Sequence, residues 1–480
     1  MRKLQEDEKL KRFIASLLIA GFVLGEFAAS PSYAILTKKN KAANTTEVKK
    51  VSISKTHKQR QQSDEFKYEH INYNWWNNFN DGILKAYIAK AIQSNYSLKN
   101  ATIAVDEYYQ SVKVQFANEL PQAGFGFSTA YVKKPGTNDA DWTYSLPGFA
   151  NYELDLFLKN HDKTKASKKL YEASIQDERA GYIAVAAAVG TTYLNIVKLD
   201  KIISLQEEIV QDRKTILDLM QIRNEEGLTS TSDTVKANKS FIAGQTQLTE
   251  YKKQRDLLLN KLCVLIGENP NNSKRLQRIS FDRLSYSGVI PSEISTQVIA
   301  NRPDYIKAEK MVEKAGLDVK IAKKEFLPTF NITGIIAFMA SDVSKLWTTK
   351  NALMALAGAA NWGFFTGGRK VANLKIKKSE YERVLNDYYQ TNLVAFQEIN
   401  DALVIIKQDN KKYRDTLMQS QLEKKDFTLS NAKFEAGTLS KFDLIQLKEN
   451  VLATERMVAE QKVDCLVDYI GLYKALGSQL

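Results

Sequence analysis

The chain has 480 residues, 44% hydrophobic and 26% charged, enough for two or three ordinary domains and a large core. Mean hydropathy is −0.35, and past the N-terminus no stretch offers the ~18 uncharged apolar residues of a spanning helix, which argues against a helical membrane protein. Two cysteines exclude a disulfide scaffold and three histidines leave little for metal or acid–base chemistry, while a net charge of +13 invites a nucleic-acid reading until that charge is located.

Residues 1–12 carry five bases, and FIASLLIAGFVLG (13–25) is apolar and broken by Glu26. Pro31 and the small residues Ser32 and Ala34 follow, the layout of a secretory signal with cleavage expected after Ala34. No cysteine lies near that site, so no lipid-modified N-terminus is expected. Residues 35–60 then hold eight Lys/Arg against Glu47, a local charge of +7 on a polar leader, taken as 35–70, that cannot support a core. The signal contributes +1, so about +5 is left for the other 420 residues. A nearly neutral body does not call for nucleic acid.

None of the eight prolines falls in 148–269 or 329–480, and an interior proline costs a helix ~3 kcal/mol. Ile202, Leu205, Ile209, Ile216 and Leu219 keep a seven-residue rhythm interrupted by Asp212. Leu385, Tyr389, Phe396, Ile399, Leu403 and Ile406 form a second stripe. Long helices are expected at about 162–225, 231–267, 369–433 and 441–476, the first of them roughly 96 Å long at 1.5 Å per residue. Such rods suit a coiled, tube-like assembly.

Between the rods the period changes to two. Trp142, Tyr144, Leu146, Gly148, Ala150, Tyr152, Leu154 and Leu156 share one parity, against Thr143, Ser145, Asn151, Glu153 and Asp155 on the other, with Pro147 and Phe149 as exceptions. Strands are expected at about 121–133, 142–157, 329–340 and 351–364, each long enough to cross a membrane. Four strands cannot close a barrel, and lipid tolerates no open edge, so membrane strands here require several chains to share one barrel. Two soluble hairpins packed on the helices are the other reading.

The halves repeat. Tyr171-Glu172, Gly227, Ser230, Asp233 and Gly267 match Tyr381-Glu382, Gly437, Ser440, Asp443 and Gly477 at an offset of 210. Leu120-Pro121 matches Leu327-Pro328 at 207. Each unit, 71–285 and 286–480, reads helix, strand, strand, long helix, turn, helix. The turns are NEEGLTSTSDTV (224–235) and FEAGTLSKFDLI (434–445). Their glycines suit a helix C-terminus and their serines the next N-cap. Asp233 and Asp443 have two readings: carboxylates stabilised by a helix N-terminus, or, in an oligomer, rings of charge across a pore mouth.

NWWNNFNDGILKAYIAKAIQSNYSL (74–98), YELDLF (152–157), ANRPDYIKAE (300–309), NWGFFTGGRK (361–370) and EAGTLSKFDLIQLKENVLATE (435–455) together resemble the TolC-like outer-membrane efflux proteins, particularly the branch serving tripartite, RND-type drug-export pumps. The resemblance implies a mainly α protein with membrane β: a long periplasmic α-helical barrel and four strands given by each chain of a homotrimer to a twelve-stranded outer-membrane β-barrel. It implies an exit duct fed by an inner-membrane transporter through a periplasmic adaptor (membrane fusion) protein docked at the helical tips. By position it makes Gly227, Leu228, Ser230, Gly437, Thr438 and Ser440 the docking turns, and Asp233 and Asp443 the constriction. The family often has a second acid three residues after the first, where this chain has Gln446, which implies a less acidic constriction. Many relatives in that branch are acylated at a cysteine, and this chain departs from them there and in its basic leader.

Other signals are bland. GGRK (367–370) lacks the spacing of a phosphate loop and suits a helix start. Cys263 and Cys465 hold non-equivalent repeat positions and read as free thiols. Trp75 and Trp76 fit either interfacial anchoring or packing against helices. No nucleophile–base or metal-ligand constellation appears, so neither an enzyme nor a cofactor is expected. The competing functions are a duct for type I protein secretion and a periplasmic coiled-coil adaptor, the latter having no use for four alternating strands.

Overall fold

The computed structural model describes residues 75–133, 140–289 and 296–477; the expected signal and basic leader lie outside them. A 3₁₀ turn, Trp75–Phe79, leads into α1 (Gly82–Ser94) and α2 (Tyr96–Ala117). Asp81 and Asn95 cap these two helices by accepting backbone N–H bonds. Three strands follow, β1 (Gln122–Phe125), β2 (Ser128–Lys133) and β3 (Ala140–Leu154), then α3 (Lys159–Glu225) and α4 (Thr231–Leu265). After further 3₁₀ turns the order resumes with α5 (Pro303–Lys324), β4 (Thr329–Ala340), β5 (Ala352–Asn361), α6 (Arg369–Glu435) and α7 (Lys441–Ala475). Both long helices have 67 residues and both helices after them 35, so the duplication read from spacing persists as equal lengths.

Three boundaries differ from expectation for local reasons. The strand expected at 121–133 is two pieces, although the register against β3 runs straight through. Pro147 lies opposite the gap: its carbonyl accepts the Gly126 N–H at 2.7 Å, but it has no N–H to return. The next strand ends at Leu154 and the long helix begins at Lys159 rather than 162. Asp155 accounts for both, because its carboxylate accepts the N–H groups of Lys159 (2.6 Å) and His161 (2.8 Å). The last strand stops at Asn361, because the chain turns at Trp362 and then passes Gly367 and Gly368, both at positive φ, into α6.

The sheet is antiparallel in the order β1/β2–β3–β4–β5. Its central pair, β3 with β4, runs from Tyr144 opposite Ala340 to Leu154 opposite Phe330, so the two repeats are joined in the middle of the sheet.

The largest core surrounds Trp75, Trp76 and Phe79, which pack with Val189, Tyr193 and Ile196 of α3 and with Val463, Ile470 and Tyr473 of α7. Both tryptophans are buried, which decides for packing over interfacial anchoring. On the first stripe Ile202, Leu205, Ile209 and Ile216 are buried. Asp212, the interruption, is paired with Lys448 at 2.8 Å. On the second stripe Ile399 and Ile406 are buried while Tyr389 and Phe396 are exposed. An apolar face of α6 therefore has no cover among the described residues of one chain.

Candidate functional site

Two regions carry the functional features, the sheet and the pair of helical turns. In the sheet, register decides which side chains share a face. Leu146 and Tyr152 of β3 stand opposite Phe338 and Ile332 of β4, and Ile336 and Gly334 of β4 opposite Met354 and Leu356 of β5, while Trp142 of β3 pairs with β2. Across β1 and β2 the same face continues through Phe125 and Tyr131. From Trp142 to Leu154 and at the positions paired with them, this face carries no charged residue. The opposite face is wetter. Ser128 and Ser145 hydroxyls lie 2.7 Å apart, Thr333 donates to Asn151 at 2.9 Å, and Glu153 pairs with Lys159 at 3.0 Å. A sheet with one uncharged aromatic face and one hydrogen-bonding face is built to separate lipid from water.

Two glycines in that sheet leave room for rings from the neighbouring strand. A Cβ on Gly148 would lie 2.6 Å from the ring of Phe125, its cross-strand partner. On the other face a Cβ on Gly124 would lie 2.9 Å from the Phe149 ring. Each aromatic ring covers the glycine opposite, which explains why Phe149 breaks the alternation.

The turns are near copies. Gly227 and Gly437 take φ of +71° and +76°, the left-handed cap of a helix C-terminus. Leu228 N–H reaches back to the Arg223 carbonyl (2.7 Å), and Thr438 N–H to that of Lys433 (2.9 Å). Ser230 and Ser440 then cap α4 and α7. Each hydroxyl accepts the N–H of the aspartate three residues on, at 3.2 and 3.1 Å, and donates to its carboxylate at 2.7 Å. Asp233 and Asp443 thus both do the structural work of a capping box.

The copies differ in charge. Lys236 holds Asp233 at 3.1 Å, and with the Ser230 hydroxyl as the larger cause it keeps that carboxyl below the usual carboxylate range. The position equivalent to Lys236 is Gln446, so Asp443 makes no ion pair among the described residues and is exposed. Lys441, two residues before it, lies over the Phe434 ring instead, 5.2 Å from its centroid, in the range of a cation–π contact. Leu228, Gly437 and Thr438 are also exposed.

A further cluster escaped the sequence reading. Below the turns Arg213 of α3 holds Glu449 of α7 and donates to the Ser240 carbonyl of α4 at 3.1 Å, next to the Asp212–Lys448 pair. The signal available was Asp212 itself, a charge at a core position of the heptad stripe.

The geometry agrees with the comparisons to known proteins. The family model described as "Outer membrane efflux protein" matches residues 87–268 and 294–478. The probable efflux pump outer membrane protein TtgC of Pseudomonas putida is 23% identical over 411 residues, covering 84% of each chain. The cation efflux system protein CusC of Escherichia coli K12 is 24% identical over 416 residues, covering 85% of this chain and 89% of its own. Among solved structures, the CmeC outer membrane channel of Campylobacter jejuni superposes with a TM-score of 0.78 at 21% identity, covering 94% of both chains. The open MtrE outer membrane channel of Neisseria gonorrhoeae gives 0.74 at 21%, covering 83% of this chain and 91% of that one. With its duplicated rods, its one-sided sheet and both repeats matched by the family model, the chain belongs to the outer membrane efflux protein family.

Proposed function

We propose that three copies of the chain assemble into an outer-membrane exit duct that passes small molecules delivered by an inner-membrane, RND-type pump through a periplasmic adaptor. The observation that carries this is the sheet. It has an uncharged apolar face and two edges, β1/β2 and β5, with no strand beside them among the described residues. An open edge is untenable in lipid, and one chain is too few strands to close. Counting β1 and β2 as one interrupted strand, three copies supply twelve, β5 of each pairing with β1/β2 of the next. The uncovered apolar face of α6 fits the same assembly. A periplasmic adaptor would have no use for such a sheet.

The turns Gly227–Ser230 and Gly437–Ser440 are the adaptor-docking tips, and Asp443 is the principal gate carboxylate, with Asp233 muted by Lys236 and Gln446 contributing no charge. Transport is diffusion down a protein-lined duct, with energy supplied by the pump. The purified protein should migrate as a heat-labile trimer and conduct ions in planar bilayers. A water-soluble monomer recovered from the periplasm would overturn the assignment. Asp443→Ala should raise resting conductance or weaken block by multivalent cations, and Asp233→Ala should do so less. Unchanged conductance and block in Asp443→Ala would remove that residue from the gate.

A further inference from the structure

One pair of positions differs in kind between the two repeats. At the offset of 210, Leu199 and Leu258 of the first repeat correspond to Asp409 and Asp468 of the second. Leu199 of α3 is buried and Leu258 of α4 half-buried. The aspartates stand on α6 and α7 with their carboxyls within hydrogen-bonding reach of each other. The residues that follow them are joined as well, Tyr469 donating its hydroxyl to the Asn410 side chain at 3.0 Å. Oδ2 of Asp468 is sealed from solvent, and no N–H or hydroxyl of the described residues reaches it. A buried carboxylate oxygen without a donor is costly, and a second carboxyl relieves it only if a proton lies between the two.

No neighbour supplies a base instead. On α7, Asp464 is itself held by Lys198 of α3 at 3.0 Å, and burial pushes the Cys465 thiol up to about 12, so that it stays neutral. Burial also raises the phenols of Tyr413 on α6 and Tyr469 on α7. Asp468 borders a cavity of about 580 Å³, to which α3 contributes only Ala180, Ile183 and Ala184. Of the charged groups around that cavity, Arg302 is taken by Asp304 and Glu398 at 2.6 Å each, and Asp401 adds another acid. Lys474 lies six residues further along α7, nearly two turns away. On its outer side Asp409 lines a groove with Lys411, Lys412 and Asp415. Burial first, and then Asp409 and Asp464, lift the Asp468 carboxyl to about 7, with no base among the groups acting on it.

We infer that Asp409 and Asp468 form a pH-sensitive clasp between α6 and α7, closed while the protonated Asp468 carboxyl donates to the Asp409 carboxylate and loosened once that proton leaves. Its loss sets two carboxylates against each other in a half-buried seam, and the adjoining cavity gives water a way in to solvate them. The first repeat has no counterpart, because Leu199 and Leu258 do not titrate. The closed seam holds a proton that an open one gives up in the ordinary carboxylate range. The clasp therefore contributes most at low pH, and its contribution is lost as pH rises to about 7.

The test uses the full protein in detergent. Amide-exchange protection at residues 405–412 and 464–471, corrected for the intrinsic rate at each pH, should fall by up to about tenfold per unit between about pH 5 and 7 and then level off. The corresponding residues of the first repeat, 195–202 and 254–261, should stay flat. Asp468→Asn should abolish the slope. Asp409→Leu/Asp468→Leu, which installs the pair of the first repeat, should abolish it and keep the seam closed at every pH. The infrared difference spectrum between about pH 6 and 8 should contain a protonated carboxyl that Asp468→Asn removes. No slope in the parent, an equal slope in the first repeat, or a slope that survives the double leucine variant overturns the clasp. A carboxyl band unchanged in Asp468→Asn overturns it as well, because the proton then sits elsewhere.

Discussion

Arg213 and Glu449, 236 residues apart in the chain, meet in a forked ion pair: Nε lies 3.1 and 3.2 Å from the two carboxylate oxygens, and Nη2 lies 3.0 Å from Oε2. The pair joins α3 to α7 about three turns of helix below the tips, near a small apolar cluster of Ile216, Leu217, Ala237 and Ile445. Bidentate geometry and partial burial make it one of the stronger contacts between the two repeats.

Removing one partner should loosen the tips. Glu449→Gln is expected to cost about 1–3 kcal/mol in local stability, less than a fully buried pair because both groups still touch water. Amide exchange over residues 441–452 should quicken accordingly, and the exchanged pair Arg213→Glu/Glu449→Arg should recover part of the protection. Unaltered exchange in Glu449→Gln would show that the apolar seam alone holds the hairpins together.

The capping boxes make a paired prediction. Ser230→Ala and Ser440→Ala should each cost about 1 kcal/mol of helix-end stability, read as faster exchange in the first turns of α4 and α7.

The pH response of the first tip follows from Asp233. Its folded-state carboxyl sits below the ordinary range, so the stability it contributes is present above the unfolded value and is lost only as pH falls through the depressed one. Protection around residues 230–236 should stay flat down to about pH 4 and weaken below it. A transition near neutrality would contradict that assignment.

Trp75 carries the junction of termini and rods. It stacks on Tyr473 with centroids 5.6 Å apart and planes inclined by 21°, and meets Trp76 and Phe79 edge-on. Trp75→Ala should cost about 3–5 kcal/mol and lower the thermal midpoint of the detergent-solubilised protein. A midpoint within a degree or two of the parent would mean that the cavity collapses.

In the sheet, Gly148→Val should block the seating of Phe125 and reduce the yield of assembled protein. Phe125→Ala, added to it, should restore assembly by clearing the space. Failure of that rescue, with Phe125→Ala alone assembling normally, would place the fault in backbone pairing rather than in the ring contact.

Much of this architecture is legible in the residues because its signals are long. A 67-residue helix free of proline and a period-two run of more than ten residues leave few alternatives, and the offset of 210 extends each reading to the other half. What escapes is set by single residues acting across the chain. Pro147 splits a strand that it does not belong to, and Asp155 moves both a strand end and a helix start. The tips show the same limit. Sequence placed Asp233 and Asp443 as equivalents, but their difference depends on Lys236 folding back where Gln446 cannot replace it. Arg213 finding Glu449 was invisible, because nothing local marks two charges that lie on helices from different repeats.

The last helix closes contacts opened much earlier. Tyr473 accepts from Asn78 at 2.9 Å, the Ala475 carbonyl accepts from Arg302 at the start of the second repeat, and Lys198 reaches Asp464 at 3.0 Å. The N-terminal aromatic cluster, the middle of α3 and the opening of α5 therefore all draw contacts from α7, the 35-residue helix that is last among the described elements. Such long-range closure is slow to form and cannot proceed domain by domain. A chain that stops before Lys441 loses all three of these contacts at once.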